Sequence, residues 1–285
     1  MEPPLHETLT DAQIAHFYES HIQFSQHDRI VSLSHEAIIK SGPFVKEEAE
    51  NLIAASKILD WRVVKVPQLY RAFKYRRIWY MVMEQVHGRQ GHKIPSEKLV
   101  EKMTPILGYF KTLEHATPGP LTGLGGVCRG DIWGVYEEAP VFEKVGELEQ
   151  WVDRWLPDSY QSFEFKKREL VFCHMDLVAE NIIINGEGNE ESVYLLAWKS
   201  GGWFPRNFEV AELELAVEGR EDLEFERLLA KRITKKICKD ERKEIDAIKV
   251  ALRGRELDQK KENKKLWKIT IRSWIGGKRR TLPKT

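Results

Sequence analysis

The apolar run Leu170-Val171-Phe172-Cys173 opens onto His174-Met175-Asp176, and after a four-residue spacer Asn181 leads into a second apolar run, Ile182-Ile183-Ile184. Val193 to Trp198 is placed to pair with that second run across the turn sequence GEGNEE, so the block reads as strand, loop and hairpin. Two β segments then hold Asp176 and Asn181 at a fixed offset. In phosphoryl transfer an aspartate accepts the proton of the attacking hydroxyl, and an asparagine at this spacing reaches back toward a magnesium ion. A loop aspartate capping its own turn produces the same text, and both readings stand at this point.

Other segments bear on the choice. Ala37-Ile38-Ile39-Lys40 ends an apolar strand on a lysine, Gly42-Pro43 closes it, and Glu47 to Leu59 follows with Ala49, Leu52, Ile53, Ser56 and Leu59 at helical spacing. Glu48 borders that stripe, so a strand-end lysine can meet a core-facing glutamate, as a nucleotide phosphate site requires. The alternative leaves Lys40 in solvent and Glu48 on the outer face of the helix. Arg77 to Val86, RIWYMVMEQV, reads as a central strand that stops before Gly88. Glu84 stands at its end, where a hinge backbone can hydrogen-bond an adenine or where a plain buried strand terminates.

Around these segments, periodicity predicts helices over Asp11–His21, capped by Thr10 or Asp11, and over Ser96–Leu113 with Ser96 as N-cap, Val145–Leu156 and Phe208–Val217. Strands are expected at Arg29–Leu33 and Glu36–Ile39, and a Gly- and Pro-rich loop over Thr117–Pro140. Trp133, Tyr136, Trp151, Trp155, Trp203 and Phe204 either line a cage for a cation or belong to the core.

Charge separates the chain into two parts. From Arg220 onward there are 22 Lys+Arg against 11 Asp+Glu, leaving 23 against 33 in the body, although the whole chain is close to neutral at +1. An acidic body disfavours nucleic acid and suits a cationic small molecule, while the basic stretch from Glu221 to about Lys265 reads as a mostly solvated helix. No apolar run approaches the ~20 residues of a membrane span. The N-terminus is unlike a secretory leader, so the cytoplasm is expected, with the nucleus as an alternative. The three cysteines, far apart, give neither a disulfide framework nor a zinc ribbon.

The segments AIIKSG, EAENL, YMVMEQVHG, FCHMDLVAENIII and LLAWKSGGWFPRNFE, in this order, resemble the aminoglycoside phosphotransferase family of the protein-kinase-like superfamily, particularly its fungal members. The resemblance covers about residues 30 to 217. It implies an α+β, two-lobed protein-kinase-like fold, with a small β-rich lobe over residues 1–86, a helical lobe with the catalytic loop over 87–219, and a basic helical tail over 220–285. It implies ATP and Mg²⁺ as cofactors and a small hydroxyl-bearing, cationic acceptor. Lys40 and Glu48 then hold the phosphates, Glu84 marks the adenine hinge, Asp176 is the catalytic base and Asn181 a metal ligand. Two departures qualify the match. Ala197 stands where the family places its metal-binding aspartate, with Lys199 close by, and Ser25 to His35 contains no glycine for a phosphate-covering loop. The first departure keeps a second reading alongside the phosphotransferase, that of a non-catalytic, pseudokinase-like binding or scaffold protein.

Overall fold

The computed structural model describes residues 3–22, 30–42, 44–123, 125–130, 133, 139–158, 160 and 169–257. The chain opens with α1 (Leu5–Thr8) and α2 (Asp11–His21), the latter closed by a capping box in which Thr10 and Gln13 satisfy each other's backbone amides. A four-stranded antiparallel sheet follows, from β1 (Ile30–Ser32), β2 (Ala37–Ser41), β3 (Leu69–Tyr75) and β4 (Ile78–Glu84) in the order β1-β2-β4-β3. Alternation along β2 sends Ala37 and Ile39 to one face and Ile38 and Lys40 to the other. Ile14, Ala15 and Tyr18 of α2 cover the first face, packing on Val31, Ala37, Ile39, Phe73, Tyr80 and Val82. α3 (Val45–Ile58), between β2 and β3, packs its Val45, Ala49, Leu52 and Ala55 on the second. Lys40 therefore faces the helix that carries Glu48.

The connection out of this lobe passes Gly88, whose φ of +154° and close approach to the Ile184 carbonyl leave no room for a side chain: a Cβ there would lie 2.5 Å from that oxygen. Beyond it come β5 (Arg89–Gln90), α4 (Ser96–Phe110), β6 (Glu114–His115), β7 (Gly119–Pro120) and α5 (Val145–Trp155). β8 (Leu170–Cys173), β9 (Ile182–Asn185), β10 (Ser192–Leu195), β11 (Gly202–Pro205), α6 (Asn207–Ala216) and α7 (Glu224–Thr234) complete the order, followed by a helix over residues 239–257, here α8. Two small sheets, β10-β9-β5 and β6-β8-β11-β7, lie among these helices. The fold is thus α+β, a β-rich lobe joined to a helical one. No helix among the described residues is long and apolar enough to cross a membrane.

Several expectations need correction. Pro95, not Ser96, is the N-cap of α4, and the Ser96 hydroxyl instead donates to Glu224 at 2.9 Å. The second strand of the hairpin stops at Leu195, because the backbone turns left-handed at Ala197. The helix expected from Glu221 to Lys265 is interrupted at 235–238. The solvated extension expected after Gly219 is, through residue 257, part of the core. Phe225 and Leu229 of α7 pack with Val100 and Met103 of α4, and Ile245, Ile248 and Ala251 of α8 pack with Phe208, Val152 and Trp151. The sparse apolar stripe is narrow and faces the core, with Leu228, Ile233 and Ile237 partly buried, and most of its charged neighbours face outward, Glu226 and Arg255 being buried exceptions. The rest of the expected tail lies outside the described residues.

Trp133 stacks on Phe204 and Phe208, with Trp151 tilted against it, and Trp203 meets Phe172 and His115. These aromatics are core rather than cage, and Tyr136 lies outside the described residues.

Leu229, fully buried between α7 and the body, tests the revised boundary. Leu229→Ala is expected to lower stability by about 2–5 kcal/mol in urea denaturation, and a chain ending at Gly219 to lose its cooperative transition. A cooperative melt in that truncated chain would put the boundary back at Gly219.

Candidate functional site

Lys40 and Glu48 meet. The Lys40 Nζ lies 2.7 Å from Glu48 Oε1, with the glutamate side chain 5% exposed and the lysine 24%. A pair this shielded fixes β2 and α3 relative to each other far better than a surface ion pair does. The two other polar positions on this side of α3 reach the helical lobe. Glu47 is 3.2 Å from Arg129, whose guanidinium also lies over the Phe44 ring. Asn51, 2% exposed, donates through Nδ2 to the carbonyls of Trp198 and Gly201, each at 3.0 Å, and accepts from Leu121 N at 3.1 Å. One side-chain amide thus closes three backbone groups from two separate stretches of the helical lobe.

The loop from His174 to Asn181 is held from beneath by two carboxylates. Glu209 of α6 accepts from His174 N at 2.6 Å and Met175 N at 2.9 Å, and Glu226 of α7 accepts from Ala179 N at 2.7 Å. Met175 itself is left-handed at φ +62°, which turns the chain sharply just before Asp176. Burial pushes Glu209 up from its ordinary 4.5 to about 7, against the pull of the two amide donors, with the nearby Asp176 charge adding to the rise. Burial likewise raises Glu226. The His174 ring, fully buried, bonds through Nε2 to the Leu196 carbonyl at 2.9 Å and packs edge-on against Trp198. A carbonyl accepts only, so Nε2 carries the proton. Burial lowers this histidine to about 4 and keeps it neutral.

Asn181 donates through Nδ2 to the Asp176 carbonyl at 3.0 Å, and its own backbone carbonyl accepts from Leu196 N at 2.9 Å. Asp176, Asn181 and the Leu196-Ala197 turn therefore converge on one side of the helical lobe. Ala197 is partly exposed rather than sunk in the core, with φ +61°. Glu84 ends β4, as expected, and its side chain is anchored. Its carboxylate accepts from Gln68 N at 3.0 Å and from the Tyr194 hydroxyl at 3.5 Å, and its N–H bonds the Gln68 carbonyl. At the connection between the lobes His87 stacks on His35 and bonds its carbonyl, tying the β1–β2 turn to the linker. Residues 25–29 of the glycine-free segment lie outside the described residues.

The donors around Asp176 do not fit a kinase-type Mg²⁺ site. Magnesium is held by one or two carboxylates together with substrate phosphates. Asn181 is neutral, position 197 carries a methyl group, and both Glu209 oxygens are engaged by backbone amides. Among the described residues no group of three or more His, Cys, Asp or Glu side chains could hold a metal ion.

No family model and no curated protein matches the sequence. Among solved structures, the chain is similar to a thermostable mutant of aminoglycoside phosphotransferase APH(4)-Ia in its apo form, with a TM-score of 0.56 at 9% identity over 86% of this chain and 87% of that one. A second structure of APH(4)-Ia gives 0.52 at 10% identity over 85% and 89%. A ternary complex of a thermostable mutant of that protein with AMP-PNP and hygromycin B gives 0.51 at 9% over 84% and 88%. At such identity the likeness shows the two-lobed, kinase-like fold alone.

Asn51→Leu keeps the bulk at that position but strips one hydrogen bond each from the buried Trp198 and Gly201 carbonyls and from the Leu121 amide, the Trp198 carbonyl keeping the Gly201 N–H at 3.3 Å. A loss of about 2–5 kcal/mol is expected in urea denaturation, whereas a loss below ~0.5 kcal/mol contradicts the latch.

Glu209 and His174 make opposite contributions to the pH dependence of folding. The raised Glu209 stabilises below its unfolded value of 4.5 and loses that contribution as the pH rises through about 7. The lowered His174 stabilises above 6.5 and loses its contribution as the pH falls through about 4. The two offset each other over the shared window, so Glu209→Gln should expose the histidine: its stability should fall from pH 6.5 toward 4 more steeply than that of the wild type. Parallel pH profiles of the urea midpoint for the two proteins would refute this assignment.

Proposed function

We propose that the chain binds a nucleoside triphosphate between its lobes and acts as a slow ATP-dependent small-molecule phosphotransferase. The observation that carries this reading is the shielded Lys40–Glu48 pair, which holds an ammonium on the inner face of the sheet. Across the cleft, Asp176 is positioned on a loop whose backbone is fixed at three amides by Glu209 and Glu226. In the proposed reaction an acceptor hydroxyl oxygen attacks the terminal phosphorus, the bond from that phosphorus to the bridging oxygen breaks, and the hydroxyl proton passes to Asp176 as the nucleoside diphosphate leaves. Lys40 lies on the phosphates throughout, and Asn181 braces the Asp176 backbone. A structurally similar enzyme holds AMP-PNP together with hygromycin B, and the acidic body of this chain suits an acceptor of the same cationic, hydroxyl-bearing class. Free cysteines, two of them buried, are consistent with a cytoplasmic setting.

A second reading, a nucleotide-binding scaffold without turnover, is favoured by Ala197. The backbone there is left-handed, a conformation in which aspartate and asparagine are several-fold enriched over other non-glycine residues. The turn has the shape an aspartate would adopt, without the carboxylate. Lys199, two residues on, adds positive charge to the same turn.

Thermal shift with ATP, in EDTA and in Mg²⁺, tests the nucleotide site, and turnover separates the two readings. ATP at about a hundred times its dissociation constant should add ~2.7 kcal/mol to wild-type stability in either medium, and Lys40→Met should remove the effect. Ala197→Asp should make the shift depend on Mg²⁺ and raise ATP hydrolysis. If neither protein responds to ATP, the nucleotide site is absent. Wild-type turnover on the order of 1–100 per second excludes the scaffold.

A further inference from the structure

Outside the cleft, an apolar recess of about 350 Å³ lies behind α3. That is within the range of small-molecule sites, roughly 300–1,000 Å³. Leu52, Ile53 and Leu59 of α3 and its C-cap form one wall, and the segment from Trp61 to Leu69 forms the other, with Tyr194 of β10 at one end. The backbone of that segment is fixed: Lys65 N bonds the Val193 carbonyl at 2.8 Å, and Leu195 N bonds the Lys65 carbonyl at 2.9 Å, so it runs as an added strand position beside β10. The recess is therefore preformed. At its rim Trp61 is 70% exposed and Ile53 40%, two large apolar groups left in water beside an open apolar floor. Grouped exposure of this kind marks a contact surface more often than scattered surface residues do.

Lys65 is the one charged side chain among the residues that line the recess. The Lys65 ammonium lies 5.5 Å from the centre of the Tyr194 ring and forms no ion pair among the described residues. The neighbouring acids do not pair with it. Asp60 pairs with Arg62 at 2.7 Å, and the Glu84 carboxylate behind Tyr194 bonds Gln68 N and the tyrosine hydroxyl. An apolar body fills the trough, and an acid group answers the ammonium. We propose that this recess binds a small amphipathic organic anion, an aromatic or aliphatic body bearing one acidic group, at a site distinct from the nucleotide cleft.

The test uses a matched pair of fluorescent probes on the full chain, anionic anilinonaphthalene sulfonate and its neutral analogue N-phenylnaphthylamine, titrated at low ionic strength. The sulfonate should bind one saturable site with blue-shifted emission, more tightly than the neutral probe, and lose the difference as salt screens the ammonium. Ser56→Phe, at an exposed position on the wall, fills the trough and should weaken both probes about tenfold or more. Lys65→Met keeps the apolar surface and should weaken only the sulfonate. Sulfonate binding that is unchanged in Ser56→Phe, or a Lys65→Met variant that loses both probes equally, overturns the proposal. Circular-dichroism melts of each variant establish that a loss of binding comes from a folded protein.

Discussion

The relation between the two lobes rests on a buried amide. Asn51 stands on α3, in the small lobe, yet its hydrogen bonds go to backbone groups of the helical lobe, around Trp198 to Gly201 and at Leu121. A carboxamide suits this position because it offers donors on one side and an acceptor on the other. Aspartate would lack the donors, and leucine would lack both. Since the interior strengthens hydrogen bonds and makes unpaired polar groups expensive, the latch either closes fully or opens with a penalty. The Lys40–Glu48 pair belongs to the same helix, so the orientation that joins the lobes also sets the reach of the lysine.

On the other side of the cleft, the loop bearing Asp176 has little internal regularity. Its shape is imposed by Glu209 and Glu226, each accepting amide hydrogens that the loop cannot pair within itself. The buried, neutral His174 adds a fourth tie, to Leu196, which brings the Ala197 turn against the loop. The loop bearing Asp176 is thus fixed at four points, and the turn brought against it carries a methyl group at Ala197.

How far this could be read from the sequence depended on whether a residue acts through a local pattern. Lys40 at a strand end and Glu48 beside a helical stripe are local, and their contact follows from alternation in β2 together with the helix that succeeds it. Asp176 and Asn181 were likewise legible, because five positions of one loop fix their relation. Asn51 was not, although it lies in the segment EAENL: nothing in the surrounding text distinguishes an asparagine that bonds a distant backbone from one that faces water. Glu226 sat in a run of mixed charge that resembles a solvated helix, and only the packing of α7 on α4 shows that this particular acid points inward. The side-chain partners of Glu84 were hidden for a related reason. The strand end was placed correctly, but the side chain turns toward Gln68 and Tyr194, partners that periodicity does not reveal.

The two carboxylates beneath the Asp176 loop lie downstream of it in the chain, which has a consequence for synthesis. As the polypeptide leaves the ribosome, the strands of the small lobe and α3 emerge first and can pack early, whereas the loop must wait for its supports. A nascent chain that has exposed residues up to β11 carries amides at His174, Met175 and Ala179 with no acceptors to receive them, and Glu226 arrives only with α7. Vectorial folding of the helical lobe is therefore closed off from its far end, and a stalled or prematurely terminated chain would present an unformed loop together with the exposed apolar face of α4, the surface on which chaperones and proteases act.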